Sequence, residues 1–549
     1  MLVANKYYDH NGIYGKINYA QRYSNSSQNS VVQKLMPSLK QQVMACKIKK
    51  YQKITGITLG LILSLSCFAH ENNPWMQLAN QDLDAIYSIL HENHPGAIDT
   101  QNPVFKIQLD EGYHSAKKKI KNIQTFIDYQ TIILNYMAGF KDGHLGVSFS
   151  LLERSQPYPG FIAHYQDNHF FVSESIKPNA LPNGAELIAC DGKRINDILL
   201  QDVFPMRTRN PALKSSWYTS TPYLLQGYLP SWKKPYTHCQ IRVNGHESMV
   251  KLQYTMISEV ALTEKISKVF FGDSVTFHVT RLPQNTIWIR LPRFFPKTDD
   301  ELNGLRDIIR QSPQFKQAQY IVFDLRGNTG GDSSWGEQLL SNIYGQAYLD
   351  NIVRTRDKNT QVLWRISKAN LRYLEKSTLN HATEHQTESI YTKCMTSIYT
   401  EMKLAFARHE KLMVEHCDLN NAKSSPSPQH TAALSNTKLV LLTDGFCGSA
   451  CLDFMDTALK IPGSIHIGLP TNADTNYLDL AEAPLPSSIA TLYYAMKVYR
   501  HRSRGNNVAY DPSIKFDTTS LNEKAIQQWV LNKVIDNNNP PSITPGTNQ

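Results

Sequence analysis

The sequence predicts an α/β protein built from a helical N-terminal part, a β-rich module and an alternating strand–helix core. Three observations carry this. Between 70 and 150, apolar residues recur at helical spacing. Between 151 and 258, short apolar runs alternate with Pro and Gly turns. From 275 to 540, strand-like and helical runs alternate, which implies helices packed on a mainly parallel sheet.

The helical reading rests on Leu83, Ile86, Tyr87 and Leu90 within 82–93, and on Phe126, Ile127, Tyr129, Ile132, Ile133 and Tyr136 within 124–139. In the β-rich module the runs are Phe170–Val172, Ala185–Ala189, Cys239–Val243 and Met249–Tyr254. The core begins with strands at Val275–Val279 and Thr286–Leu291, a helix near 299–312 and a strand at Tyr320–Leu325. A helix near 334–344 follows, then a polar stretch from about 365 to 435. Strand Lys438–Leu442, a helix from about 449 to 460 and strand Ser464–Ile467 continue the alternation. The segment 536–549, rich in Asn and Pro, reads as a disordered tail.

The 549 residues accommodate three to four domains at roughly 150 residues each. With 41% hydrophobic and 19% charged residues, the chain is neither wholly disordered nor fibrous. The net charge of +10 is concentrated: residues 1–69 hold nine Lys/Arg and one Asp. The remainder is nearly balanced and carries no global basic footprint for nucleic acid or an anionic membrane.

Residues 44–69 read as a signal peptide. Lys47, Lys49, Lys50 and Lys53 form a basic flank, and Ile54–Phe68 is an apolar stretch short for a membrane span. Cys67-Phe68-Ala69 favours cleavage after Ala69, and so a periplasmic or secreted protein with no stable span afterwards. A lipid anchor on Cys67 and a retained anchor are the alternatives, the former disfavoured by Ser64 where Leu is wanted. Residues 1–43 read as a disordered tail or as an extension ahead of a true start at Met44. Six Cys follow the leader, which allows three disulfides in 15 connectivities. Sequence does not choose among them; local pairing of Cys190 with Cys239 and Cys394 with Cys417 is the working expectation.

Three segments suggest serine chemistry. In Lys438–Met455 a strand enters a Gly-bearing turn and then a helix, with Ser449 at the junction. A nucleophile there is exposed, the helix N-terminus favours developing negative charge, and the N–H of Ala450 can donate to an oxyanion. The plain alternative is Ser449 as an N-cap. The flanking residues two positions away are Cys447 and Cys451, so this is not the Gly-x-Ser-x-Gly elbow. In Ile321–Gly331 a buried strand ends in a Gly-rich loop, whose N–H groups at Gly330 or Gly331 can supply the other oxyanion donor. In Lys141–Gly146, His144 suits a general base, since an ordinary imidazole titrates near neutrality. A fourth pattern competes. His381-Ala-Thr-Glu-His385 matches an inverted zinc-peptidase motif, with Glu384 as base and no evident third ligand; a solvated helix face is the plain alternative.

Together, Asp324-Leu-Arg-Gly-Asn-Thr-Gly-Gly331 and Gly448-Ser-Ala450 resemble the tail-specific, or C-terminal-processing, serine peptidases, a family that includes the tricorn core. The resemblance covers about 275–515. It implies a crotonase-like α/β peptidase core over 259–535, with the 365–435 stretch as an insertion. Asn183–Lys193 resembles the late strand and turn of a PDZ module, which implies a peptide-binding role for 151–258 beside the helical domain 70–150.

The sequence departs from the family at one position. The processing members use a Ser–Lys dyad with Lys about 25 residues after Ser, in a Gly-x-x-Thr-x-Gly-Lys-Gly segment. Here Gly468–Thr475 puts Asp474 at that position, and Lys460 stands three helical turns from Ser449. Asp142-Gly143-His144 resembles the Asp-Gly-His of His-using relatives, which implies a Ser449–His144 pair. The segment Gly505–Pro512, counterpart of the acid-bearing segment of tricorn-type members, has no Glu upstream, so Asp474 is assigned the third role. The expectation is an exported serine peptidase acting on peptide or protein without a cofactor. A non-catalytic binding protein on the same scaffold and a zinc peptidase through His381 and His385 are the other classes.

Overall fold

The segment Tyr-Ile-Val-Phe-Asp at 320–324 is apolar along almost its whole length and buried throughout, as a strand between two packed layers must be. The computed structural model describes residues 73–150, 155–175, 181–207, 210–227, 229–272, 276–384, 390–416, 433–516 and 522–536. In it this strand lies in a six-stranded sheet. The strands β1 (His278–Leu282), β2 (Thr286–Arg290), β3 (Tyr320–Asp324), β4 (Lys438–Thr443), β5 (Ile465–Gly468) and β6 (Ile514–Lys515) stand side by side in chain order. β1 and β2 pair antiparallel and every other neighbour is parallel. The core is mixed α/β, as the alternation implies.

Alternating side chains give this sheet two buried faces. Ile289, Phe323 and Leu441 pack on helices Asp299–Phe315, Ser333–Tyr344 and Ala450–Ala458 through Leu305, Leu339 and Met455. Trp288, Val322 and Val440 face the other way, onto Ile526 and Val530 of helix Glu523–Val530. Parallel neighbours end at the same edge, so the segments leaving β3 and β4 emerge together. Asp324 pairs with Leu442 across them.

A second sheet positions the remaining part of the site. Helices Pro74–Asn93, Pro103–Ile120 and Phe126–Ala138 are followed by a strand at Gly146–Phe149, which sequence reading folded into the helical part. That strand pairs antiparallel with Ala490–Arg500, whose other partners are Tyr477–Pro484 and Gln361–Arg365; Leu412–Val414 closes the order. The N-terminal helices share one apolar core with this sheet and with the region read as a polar insertion, which holds helices Lys368–Glu384 and Ile390–Ala407. Buried Asp82 fastens the first helix to the sheet, accepting from Ser487 N at 2.8 Å and Ser487 Oγ at 2.6 Å.

The β-rich module is a sheet of five main strands in the order Phe161–Gln166, His169–Ser175, Glu186–Cys190, His238–Val243 and His246–Lys251. Its entering and leaving segments pair as Ser155–Tyr158 with Thr255–Ser258. Cys190 and Cys239 are register partners and are disulfide-bonded. Cys447 is bonded to Cys451. Cys394 is disulfide-bonded as well, while Cys417, its expected partner, lies outside the described residues. So do the readings of 1–43 and 44–69 and the tail beyond Asp536. Among the described residues no helix is long and apolar enough to cross a membrane.

Candidate active site

Where β4 ends, the chain turns through Asp444–Gly448 and enters helix Ala450–Ala458. Ser449 stands at the junction with φ 53° and ψ −127°, a backbone region that L-residues rarely occupy. An ordinary N-cap has extended backbone and accepts a hydrogen bond from the first turn. Ser449 has neither feature, and its side chain makes no cap hydrogen bond. The plain N-cap alternative does not describe this residue.

The second strand-to-helix loop meets it. Gly330 has φ +102°, and a Cβ added there would lie 2.7 Å from Ser449 Cβ and 2.8 Å from Ala450 N. The bare backbone of Gly330 is what lets the loop touch the serine turn. Gly331 has φ +134°, and an added Cβ would lie 2.3 Å from the Phe294 carbonyl. The two glycines differ as donors. Gly330 N–H donates to Asn328 Oδ1 at 3.0 Å, so it is already engaged. Gly331 N–H and Ala450 N–H have no acceptor among the described residues.

Buried charge braces the loop from below. Arg326 donates to Asp324 through Nε at 2.8 Å and Nη2 at 2.6 Å, a two-point pairing that fixes a guanidinium firmly. Arg290 Nη1 donates to the Arg326 carbonyl at 2.7 Å. Asp444 accepts from Gly327 N at 2.9 Å and Phe446 N at 3.0 Å, linking the two turns, and burial pushes its carboxyl up to about 6. Asn328 donates to the Leu291 carbonyl at 3.0 Å. The Asp-Leu-Arg-Gly-Asn residues therefore support the glycines.

His144 comes from the other sheet. It lies in the turn between helix Phe126–Ala138 and strand Gly146–Phe149, and its Nε2 is 3.5 Å from Ser449 Oγ. That is longer than a tight hydrogen bond. Asp142 shapes the turn: its Oδ1 accepts from His144 N at 2.8 Å and from Thr475 Oγ1 at 3.0 Å. Burial pushes Asp142 up to about 6, opposed by attraction to His144.

Asp474 lies beside the serine, on its backbone side. Both carboxylate oxygens accept from Ser449 N, at 3.2 and 3.0 Å, and Arg504 Nη1 is 3.7 Å away. The structure thus brings Ser449, His144, Ala450, Gly330, Gly331 and Asp474 together, with Asp474 bonded to the serine amide. Sequence reading missed Asp444, Arg290, Arg504 and the disulfide that brackets Ser449. The signal for the last was present, since Cys447 and Cys451 sit two residues either side. His381 falls in helix Lys368–Glu384, but its side chain and all of His385 lie outside the described residues. Among the described residues no group of three or more His, Cys, Asp or Glu could hold a metal ion.

Residues 285–474 match the model of peptidase family S41. No curated protein matches the chain in sequence. Among the solved structures that share the fold are two forms of one protein. Mature CPAF superposes with a TM-score of 0.56 at 13% identity, covering 80% of this chain and 93% of its own. Mature CPAF complexed with lactacystin gives 0.56 and 13%, covering 80% and 94%.

Proposed function

From the match of residues 285–474 to peptidase family S41, we propose that the chain is a serine-type peptidase that cleaves peptide bonds with Ser449 as nucleophile and His144 as general base. The observation that carries this reading is the 3.5 Å approach of His144 Nε2 to Ser449 Oγ. In the neutral imidazole Nε2 accepts the serine proton as Oγ attacks the scissile carbonyl. The N–H of Ala450 and that of Gly331, both free of other acceptors among the described residues, receive the oxyanion; each such donor is typically worth ~3–4 kcal/mol. His144 then gives its proton to the leaving amine, which departs as the acyl-enzyme forms. Water, deprotonated by His144, attacks that ester and releases the acid and the free serine. The scheme uses no cofactor.

The substrate is a peptide or protein chain, and residues 151–258 are read as a PDZ-like module that recruits or gates it. We place the enzyme outside the cytoplasm. Support comes from the basic and apolar run at 47–68 and from the disulfides Cys190–Cys239 and Cys447–Cys451. A fluorophosphonate probe tests the site: it should label Ser449, and Ser449→Ala should abolish labelling and turnover. Unchanged hydrolysis by Ser449→Ala would overturn the reading.

A further inference from the structure

We infer that Asp474 is a positioning residue that holds the main chain of the nucleophile, acting through the Ser449 amide and not through the imidazole of His144. The inference rests on the Ser449–His144 reading and deepens it. Three contacts argue for it. Both oxygens of Asp474 converge on one donor, the Ser449 N–H, at 3.2 and 3.0 Å. Asp142, from the turn that carries His144, is a second carboxylate beside the site: it accepts from the His144 N–H and is attracted to that histidine. Asp474 is itself fixed, since its carbonyl accepts from Asn507 N at 2.8 Å.

The physical need lies in the serine backbone. With φ 53° and ψ −127°, Ser449 persists only if its surroundings over-determine the turn. A charge-assisted hydrogen bond to its amide does this at the residue itself. A bare carboxylate so near the serine would also repel the oxyanion formed on attack. Arg504 offsets that charge: it is buried, 3.7 Å from Asp474, and held by Asp456 at 2.8 Å. The position where processing relatives carry the base lysine would therefore serve backbone geometry here.

Two variants separate the roles. Asp474→Asn keeps an oxygen able to accept from Ser449 N, whereas Asp474→Ala keeps none. We expect Asp474→Asn to retain kcat within about tenfold, and Asp474→Ala to lose about 100-fold in kcat with KM little changed, the scale of a misplaced reacting group. In both, the acid limb of kcat/KM should keep its wild-type midpoint. A loss near 10^4-fold in Asp474→Asn, the scale seen when the acid of a triad is neutralised, or a displaced acid limb, would overturn the inference. So would near-wild-type kcat in Asp474→Ala. If Asp474→Ala fails to fold by circular dichroism, the kcat and midpoint of Asp474→Asn decide. Absence of probe labelling at Ser449 in the wild-type chain would contradict the underlying site, and is read separately from these kinetics.

Discussion

The Nε2 of His144 stands 3.5 Å from the Oγ of Ser449 across 305 residues of chain. The contact is made by two sheets. β4 delivers the serine turn, and the pairing of Gly146–Phe149 with Ala490–Arg500 delivers the histidine turn. Thr475 joins them, lying next to Asp474 in sequence and donating to Asp142 at 3.0 Å.

Close backbone approach at Gly330 should make it intolerant of any side chain. Gly330→Ala would put a methyl 2.7–2.8 Å from Ser449 Cβ, Ala450 N and the Gly448 carbonyl. Turnover should fall about 100-fold or more, as misplacement of a reacting group does. Gly448→Ala is the control, since its nearest neighbour, the Asn472 amide nitrogen, would be 3.5 Å away. Equal activity in the two variants would show that the loop does not set the serine geometry.

The disulfide between Cys447 and Cys451 spans the strained serine. Asn472 N donates to the Cys447 carbonyl at 3.0 Å, so this side of the turn is also tied to the Asp474 segment. The double variant Cys447→Ser/Cys451→Ser should fold but lose roughly tenfold in kcat through looser positioning. Steady-state kinetics beside a thermal melt would check this, and wild-type kcat in the folded double variant would count against it.

Buried ionisable groups give the fold opposing pH dependences. Burial holds His94 down to about 3 and His466 down to about 4, from an ordinary 6.5. The unfolded chain therefore binds those protons first, and stability is lost as pH falls below about 6.5. Burial raises Asp142 and Asp444 from 3.8 to about 6. There the fold binds protons first, so stability is regained as pH falls from about 6 to about 4. Asp444→Asn removes one compensating uptake. Its acid destabilisation between pH 6 and 4 should be steeper than wild type by up to ~1.4 kcal/mol per pH unit. Urea unfolding at three pH values measures this; parallel slopes would refute it.

Much of the core was legible because its signals are local. The apolar run Ile321-Val-Phe reads as a buried strand, and the Gly-rich loop and Ser449 follow their strands directly. The strand Gly146–Phe149 was not legible. Its four residues carry no alternation strong enough to stand out, and it is a strand only because Ala490–Arg500 pairs with it. The region read as polar folds into helices whose buried face, with Leu374, Ile398 and Met402, belongs to a core shared with distant segments. The position of Asp474 was visible through family spacing. Its bond to the Ser449 amide was not, because two residues 25 apart meet only when β4 and β5 pair and their following segments converge.

The pairing of Ser449 with His144 is tested most directly by kcat/KM of His144→Ala on a peptide substrate, with folding checked by circular dichroism. Loss of the base should leave a folded protein and cost on the order of 10^4–10^6-fold. Near-wild-type turnover in folded His144→Ala would contradict the Ser449–His144 mechanism.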